Sequence, residues 1–586
     1  MAHSGRRTIS LCLIVCTAVI LTAGTAFAGD ANETLQPQGL NYAGIYALKQ
    51  LDPNLTGAGV KFAVLCRSNT YIDGEPQNDY RPAAEHICFK DKQLNFKDDG
   101  ELAAGVSPHS TAVCSILFGE DPNAFNSQLG QFHYQGVAPQ ASADNYEFWY
   151  FLTNNIFPYS PPEADIITAS FGTQFEDWWT RGIESMVEHD GLIVVAGIGN
   201  GSNAYDPLLY PGAGSNAIGV GVINSVNAEN LAVKLANFAL PLPENSSVGP
   251  TSKGQCKPDI VAPGNCLAAD TNDPNNYEPT GNWSSFSTPI VAGTIGLLVQ
   301  KAKDEPNLAP AVAKDGGNCV IKAILLNSAT KLPFWHKGKL EKDDDHESPL
   351  DYIQGAGMLN AVDAYKLLIA GRNEPNDVPA TGWDNNQLKG EVSQNIYKIT
   401  VADPNEEFIT ATVVWNRHFS DAYPFEAMPD KDVDLRLELW AVDTNEPNNS
   451  YLLDYSDSKV DNVEHIYCKA DANYTHYELV VLLSDSQLPI TNHQSPITDQ
   501  RYGLAWDVTK KQDLVRQFDG SDNILWYDLN TDGVVNDADL TALVDSAESS
   551  KGYMLGDING DGAIDKKDFR IILAHKNDTA DWLKTE

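Results

Sequence analysis

A serine at the start of a long apolar helix is the residue of this chain best suited to act as a nucleophile. Ser285 lies in the segment GNWSSFSTPIVAG, residues 281–293, and the apolar run IVAGTIGLLVQKA follows it. A helix N-terminus holds a side chain rigidly and offers free N–H groups and the positive end of the helix dipole. Taken alone, the segment favours an ordinary N-cap with Pro289 in the first turn. The nucleophile interpretation therefore depends on the residues that accompany Ser285.

Two other polar residues could complete the chemistry of acyl transfer. His109 opens the apolar helix PHSTAVCSILFG, where an imidazole could act as a general base. Asn200 ends the buried strand GLIVVAGIGNG in a glycine-rich turn, and a side-chain amide there could hydrogen-bond an oxyanion, an effect worth roughly 10²–10³ in rate. Each residue alone is more typical of a packed ring or of a turn asparagine. Only together do they indicate a catalytic site.

The elements that would position these residues change in character along the chain. Between residues 40 and 372, short apolar runs such as VKFAVL, DIITASFG, LIVVAGIGN and AIGVGVI alternate with amphipathic stretches, a pattern typical of an α/β domain with a parallel sheet flanked by helices. A polar, proline-containing joint follows at 373–380. Short alternating strands such as NIYKITV, FITATVVWN, VDLRLELWAV, HYELVVLL and YGLAWDV then predict an antiparallel β-sandwich. We expect four regions: a signal peptide at 1–28, the α/β domain at 29–372, a jelly-roll-like sandwich at 373–509 and a small helical module at 510–586.

The last region carries a repeated acidic loop that predicts calcium binding. The loops DLNTDGVVNDAD (528–539) and DINGDGAIDKKD (557–568) place oxygen ligands at positions 1, 3, 5, 9 and 12, with glycine at position 6 and a backbone carbonyl at position 7. The first loop offers Asp528, Asn530, Asp532, Val534, Asn536 and Asp539. The second offers Asp557, Asn559, Asp561, Ala563, Asp565 and Asp568. Each loop leads into one apolar helix, and the pair resembles the dockerin module. This resemblance implies two Ca²⁺ ions and docking to a cohesin domain on a scaffold protein.

Composition and the N-terminus favour a secreted protein. The formal net charge of −39 argues against nucleic acid or an anionic membrane surface as a partner. Arg6 and Arg7 precede an apolar run at 11–21, and Ala26 and Ala28 have the small side chains that signal peptidase needs. No later stretch is long and apolar enough to cross a membrane. Seven cysteines follow the signal peptide, an odd number, and Cys256 with Cys266 is the best disulfide candidate.

Ser285, His109 and Asn200 occur in an order and with flanking residues that resemble the subtilisin family of serine proteases. The supporting motifs are SSFSTPIVAG around Ser285, HST at 109–111, GVAP at 136–139, DIITASFG at 165–172, YPGAGSNAIGVGVI at 210–223, KPDIVAPG at 257–264 and IQGAGMLNAVDAY at 353–365. The resemblance spans nearly all of residues 40–370. It implies a serine endopeptidase acting on extracellular polypeptide, with Ser285 as nucleophile, His109 as base and Asn200 as oxyanion donor. Residues 381–507 also resemble the β-sandwich that follows some secreted subtilisin-like enzymes.

Three departures from the family pattern predict an impaired enzyme. Cys66, at the end of GAGVKFAVLC, stands where the family has the triad aspartate, and loss of that acid costs about 3 × 10⁴ in kcat in subtilisin. Cys66 is either a thiolate beside the protonated His109 or a buried inert thiol, and Asp73 is a candidate substitute. Trp283 replaces the usual glycine two residues before the nucleophile, and the segment after the signal peptide is too short for a folding pro-domain. The alternative function is a catalytically dead module that binds extended peptide.

Overall fold

The computed structural model describes residues 40, 43–66, 71–72, 75–76, 79–100, 105–126, 130–201, 207–223, 246–264, 266–332, 335–338, 344–389, 393–405, 407–484, 499–509, 534–549, 566–574 and 576–577. Within these residues no helix combines the length and the apolar character that crossing a membrane requires.

A seven-stranded sheet forms the centre of the first half of the chain, and every neighbouring pair of strands in it is parallel. Its strands in chain order are β1 (Lys61–Cys66), β5 (Leu94–Lys97), β9 (Ser142–Glu147), β10 (Ile166–Ala169), β11 (Ile193–Gly197), β12 (Ile218–Ile223) and β13 (Ile260–Pro263). In space they lie in the order β13-β12-β11-β10-β1-β9-β5. The predicted parallel α/β sheet is therefore confirmed, and its apolar runs are β1 and β10–β12.

Helices cover both faces of this sheet. The helices of this half are α1 (Ile45–Leu51), α2 (Pro108–Phe118), α3 (Phe148–Phe151), α4 (Trp178–Asp190), α5 (Ser284–Asp304), α6 (Gly317–Asn327) and α7 (Ala361–Ile369). Successive residues of β1 point to opposite faces: Phe62 and Val64 join the core with α2 and α5, whereas Ala63 and Leu65 join the core with α4. Helix α5 approaches β1 closely, because a Cβ on Gly296 would lie 2.7 Å from the Phe62 ring.

The described residues also form four short strand pairs and five short helical turns. The pairs are β2 (Tyr71–Ile72) with β3 (Glu75–Pro76), β4 (Asp79–Arg81) with β6 (Gly105–Val106), β7 (Glu120–Asn126) with β8 (Gly130–Gln135), and β14 (Leu267–Ala269) with β15 (Tyr277–Pro279). One π-helical turn lies at Leu152–Ile156, and 3₁₀ turns lie at Ile87–Phe89, Ala309–Val312, Pro429–Lys431 and Pro447–Asn449.

Two four-stranded antiparallel sheets follow after residue 381 and share one apolar cluster. The first contains β16 (Gly382–Lys389), β18 (Phe408–Val414), β21 (Val463–Lys469) and β23 (Asp499–Thr509). The second contains β17 (Gln394–Thr400), β19 (Leu435–Val442), β20 (Tyr451–Ser456) and β22 (His476–Leu483). The first sheet packs on α6, where a Cβ on Gly503 would lie 2.4 Å from the Val320 nitrogen. The antiparallel sheets are thus held against the α/β core.

The predicted Cys256–Cys266 disulfide is wrong. All seven cysteines that the structure describes are free thiols. Strand β13 lies between the two cysteines in the chain, and both thiols are buried.

The C-terminal part of the chain is described as two helices, α8 (Asp537–Ser549) and α9 (Lys566–Ala574). Eight of the predicted calcium ligands lie outside the described residues: Asp528, Asn530, Asp532, Asp557, Asn559, Asp561, Ala563 and Asp565. Asp568 lies in α9. Asn577 donates its backbone N–H to the Val535 carbonyl at 2.8 Å, which joins the segment after α9 to the loop before α8.

Candidate active site

The predicted nucleophile lies where the C-terminal ends of the central strands meet the start of α5. Ser170 follows β10 directly, Asn200 lies three residues after β11, and Ser285 is the second residue of α5. The crevice outside the carboxyl ends of parallel strands is the usual place for a site in an open α/β sheet. The order of the sheet thus brings three sequence-distant segments to one edge.

A reciprocal pair of hydrogen bonds fixes Ser285 to the end of β10. The Ser170 Oγ donates to the Ser285 carbonyl at 2.8 Å, and the Ser285 Oγ donates to the Ser170 carbonyl at 3.1 Å. The Ser285 carbonyl is free for the first bond because its helical partner four residues on is Pro289, which has no N–H. Sequence analysis missed Ser170. The available signal was Pro289, because a proline four residues after Ser285 leaves the Ser285 carbonyl without its helical partner.

The side chain of Asn200 is held by the residue before the nucleophile. Both the backbone N–H and the Oγ of Ser284 donate to the Asn200 Oδ1, at 2.7 Å and 2.8 Å. Ser284 is buried. Because the carbonyl of the side-chain amide is used in this way, its NH₂ faces away from Ser284 and is the donor left for a ligand. Sequence analysis missed Ser284 as the residue that orients Asn200.

His109 lies in the first turn of α2. Pro108 is the first helical residue, and the Ser107 side chain caps the helix by accepting the Ser110 N–H at 3.2 Å. The His109 ring lies against the Phe286 ring with centroids 6.0 Å apart, beside Ser285. Burial lowers the pKa of His109 to about 4. Within the described part of the chain, the ring makes no hydrogen bond to a carboxylate or to Ser285.

Cys66 ends β1 in the position that the family pattern gives to the acid. Its thiol is buried, and burial raises its pKa to about 11, with the Ser110 hydroxyl as a partially compensating neighbour. A thiol with this pKa is neutral near pH 7, which favours the inert alternative over a thiolate. Glu147 lies directly opposite Cys66 in the β1–β9 register, but its carboxylate caps α3 by accepting the Tyr150 N–H at 2.8 Å. Asp73 lies outside the described residues.

Trp283 is exposed at the entrance to α5. It is the N-cap residue, its side chain makes no capping bond, and its indole packs over Gly281. The indole therefore forms part of the surface next to Ser285.

Part of the first predicted calcium loop is described. Asn536 donates its backbone N–H to the Asp539 carboxylate at 2.7 Å and its side-chain N–H to the Val534 carbonyl at 2.8 Å. Asp539 is buried. A buried carboxylate and a backbone carbonyl are hard oxygen donors that suit Ca²⁺. Across the described residues, no group of three or more His, Cys, Asp or Glu side chains is arranged to hold a metal.

Comparison with known proteins identifies the family. The subtilase family (peptidase S8) matches residues 51–357. Serine protease AprX of Bacillus subtilis is 27% identical over 331 residues, which cover 52% of this chain and 66% of AprX. C5a peptidase of Streptococcus pyogenes is 30% identical over 180 residues, which cover 30% of this chain and 14% of that protein. The match thus spans less than two thirds of either relative.

A solved structure, the patellamide maturation protease PatA, aligns with 54% of this chain and 98% of its own, at 23% identity and a TM-score of 0.37. The family match covers more than half of the chain and includes the strand ends and helix starts described above. The chain therefore belongs to the subtilase family of serine endopeptidases.

Proposed function

We propose that this protein is a secreted serine endopeptidase that hydrolyses peptide bonds in extracellular polypeptide. The observation that carries the proposal is the Asn200 amide, which Ser284 holds beside Ser285. A fixed donor next to a hydroxyl at a helix N-terminus is what acyl transfer needs to stabilise a developing oxyanion. A serine that only capped a helix would not need such a neighbour.

The three proposed residues divide the steps of the reaction among them. The Ser285 Oγ attacks the scissile carbonyl carbon while His109 takes its proton, and the Asn200 NH₂ with the Ser285 N–H holds the oxyanion. His109 then gives the proton to the leaving amine, and water hydrolyses the acyl-enzyme by the same steps in reverse. The hydroxyl must first leave the Ser170 carbonyl, to which it donates at 3.1 Å.

The neutral Cys66 thiol makes this enzyme slow. An aspartate in that position would orient the imidazole and stabilise the imidazolium that forms during attack. Cys66 carries no charge to do so, and the low pKa of His109 reflects an environment that disfavours the imidazolium. We therefore expect chemistry that is weakened and still present.

A catalytically dead peptide-binding protein is the second candidate function. The observation that favours it is the Ser285 hydroxyl, which donates to Ser170 instead of His109. In this case an extended peptide would add to the strand edges of the cleft without being cut.

Cleavage of an unstructured polypeptide separates the two functions. We expect the wild-type protein to release fragments and Ser285→Ala to release none. Ser160→Ala is a matched control, because Ser160 is an exposed serine outside the site. Equal fragment release by wild type and Ser285→Ala would overturn the peptidase proposal. If both proteins bind the polypeptide with equal affinity and neither cleaves it, the result would support the peptide-binding protein.

We further propose that residues 373–509 form one sandwich domain and that 510–586 form a dockerin-like module that binds two Ca²⁺ ions and a cohesin-like scaffold. The buried Asp539 supports one of the calcium sites. Calorimetric titration tests this: Asp539→Ala should lower the stoichiometry from two Ca²⁺ to one. Asp537→Ala is the matched control, since Asp537 is exposed and pairs with Lys576. A stoichiometry that Asp539→Ala leaves unchanged would contradict the assignment.

A further inference from the structure

Three aromatic side chains form one exposed surface where the α/β part of the chain meets the antiparallel sheets. Phe157 follows the π-helical turn, and Trp178 is the first residue of α4. Tyr423 lies in the loop that Phe419 and Ala427 close by an antiparallel bridge. The ring centroid of Tyr423 lies 5.2 Å from that of Phe157 and 5.6 Å from that of Trp178. Phe157 is 59% exposed and Tyr423 is 54% exposed. These three side chains are here called the aromatic surface.

Contacts with α4 hold Tyr423 in this position. The Arg181 side chain donates to the Phe425 carbonyl at 3.0 Å and to the Pro424 carbonyl at 3.2 Å. The Phe425 ring is buried against α4, where a Cβ on Gly182 would lie 3.1 Å from it. The two residues after Tyr423 are therefore anchored. An incoming partner meets a ring that is already ordered, so binding costs little conformational entropy.

Three exposed carboxylates flank the aromatic surface, those of Asp177, Asp421 and Glu426. The first precedes Trp178 in the chain, and the other two lie in the loop that carries Tyr423. In the described part of the chain none of these carboxylates pairs with a cation, whereas Asp190 at the other end of α4 pairs with Lys314 at 3.1 Å. Even with the guanidinium of Arg181 nearby, carboxylates are in excess and this surface is negative.

An aromatic face beside a carboxylate suits a cation with an apolar stem. A guanidinium or ammonium group within about 6 Å of a ring centroid is attracted by the quadrupole of the ring. A neighbouring carboxylate adds a charged hydrogen bond, and the methylene groups of arginine or lysine cover the rest of the ring. Exposed aromatic patches mark interaction sites, and tyrosine and tryptophan dominate their binding energy. The chemistry of the aromatic surface thus matches a basic segment of a polypeptide.

The aromatic surface is joined to the candidate active site through packed rings. Ser170, which bonds to Ser285, is followed by Phe171. The Phe171 ring stacks on the Trp179 ring with centroids 6.4 Å apart, and Trp179 is the residue after Trp178. A polypeptide held at Ser285 can therefore extend along this side and reach the aromatic surface with residues remote from the scissile bond.

We propose that the aromatic surface is an exosite, a substrate contact outside the cleft, that selects polypeptides with an arginine- or lysine-rich segment. The proposal rests on the proposed function and adds a substrate class to it. A substrate held at the exosite presents its scissile bond to Ser285 at a raised effective concentration, which lowers KM. Slower dissociation of the substrate also suits a site whose chemistry is slow.

Binding to a protein that cannot cleave tests the exosite separately from catalysis. In the Ser285→Ala background, fluorescence anisotropy gives the Kd of a labelled arginine-rich peptide and of a matched peptide in which glutamine replaces every arginine. We expect the arginine peptide to bind at least about tenfold more tightly, and Tyr423→Ser to weaken its binding by about tenfold. Asp421→Asn combined with Glu426→Gln should also weaken its binding and should flatten the dependence of Kd on salt.

Tyr451→Ser is the matched control, because Tyr451 is a tyrosine that is 37% exposed on β20, outside the aromatic surface. It should keep the affinity of the parent protein for the arginine peptide. Equal affinity for the two peptides, or an affinity for the arginine peptide that both Tyr423→Ser and the double charge variant leave unchanged, would overturn the exosite. Absence of cleavage by wild type would instead overturn the proposed function and leave the peptide-binding surface standing.

Steady-state cleavage gives a second measurement. Wild type should cleave an arginine-rich polypeptide with a KM at least about tenfold below that of its glutamine counterpart, and Tyr423→Ser should bring the two KM values close together. Equal KM values in wild type would contradict an exosite that acts on the substrate.

Discussion

The two halves of the candidate active site differ in how fully the fold supports them. On one side, Ser285 and Asn200 are fixed by four hydrogen bonds that they make with Ser170 and Ser284. On the other side, His109 has the Phe286 ring as a neighbour and, within the described residues, no hydrogen bond to an acid. In the proposed site, the half that would stabilise negative charge is held in place, whereas no carboxylate of the described residues hydrogen-bonds His109 in the half that would stabilise positive charge.

This difference follows from which elements carry each half. The nucleophile half is built where α5 meets the ends of β10 and β11, so it is held by the packing of the central sheet. The support of His109 depends on the single residue that ends β1, and there a neutral thiol with a raised pKa replaces a carboxylate. One substitution can therefore remove catalytic power without disturbing the fold.

The largest expected effect is a gain in kcat. Cys66→Asp places a carboxylate in the family position, where it can orient His109 and stabilise the imidazolium, and we expect kcat to rise by roughly 10³–10⁴. The measurement is kcat at saturating peptide substrate at about pH 8.

Cys66→Asn is the control for this gain, because the asparagine side chain has nearly the same shape as aspartate and carries no charge. It should raise kcat far less than Cys66→Asp. Equal kcat values for the two variants would show that packing, and not charge, limits the wild-type enzyme.

Substitutions in the nucleophile half of the site should lower kcat. Asn200→Ala removes an oxyanion donor and should lower kcat by about 10²–10³ with little change in KM. Ser284→Ala keeps the backbone bond to Asn200 and loses only the hydroxyl bond, so its loss should be smaller. A loss from Ser284→Ala as large as that from Asn200→Ala would mean that Ser284 acts in some way other than by orienting the amide.

The pH dependence of kcat/KM gives an independent comparison of wild type with Cys66→Asp, with a smaller expected effect. His109 acts as a base only when neutral, and burial lowers its pKa to about 4, so the acid limb of wild-type kcat/KM should lie near pH 4. A carboxylate at position 66 favours the imidazolium and raises this pKa, so the limb of Cys66→Asp should move to higher pH. A wild-type limb near the ordinary histidine value of about 6.5 would contradict the buried, unsupported imidazole.

The central sheet could be predicted from sequence where the pattern is apolar. The runs VKFAVL, DIITASFG, LIVVAGIGN and AIGVGVI contain strands that are neighbours in that sheet. Strand β9 could not be predicted, because its sequence SADNYE is polar and nevertheless buried. Two of its polar side chains have distant partners: Asp144 pairs with Lys61, and the Asn145 Oδ1 accepts from the Cys114 thiol. Local patterning does not contain such partners.

The sequence predicted which residues form the candidate site. It did not predict the hydrogen bonds that orient them. Ser285, His109 and Asn200 stay predictions as catalytic residues, and the structure places them at one edge of the sheet. The bonds of Ser170 and Ser284 depend on which strand ends meet α5, and that is a property of sheet order.

A double-mutant cycle between positions 66 and 109 tests most directly the proposal that the uncharged Cys66, and nothing else, limits catalysis at this site. It compares kcat/KM of wild type, Cys66→Asp, His109→Ala and the double variant. We expect Cys66→Asp to raise kcat/KM by roughly 10³–10⁴ when His109 is present and by less than about tenfold when it is alanine. A gain of the same size in both backgrounds, or no gain in either, would contradict a site whose nucleophile half is complete and whose base lacks its acid.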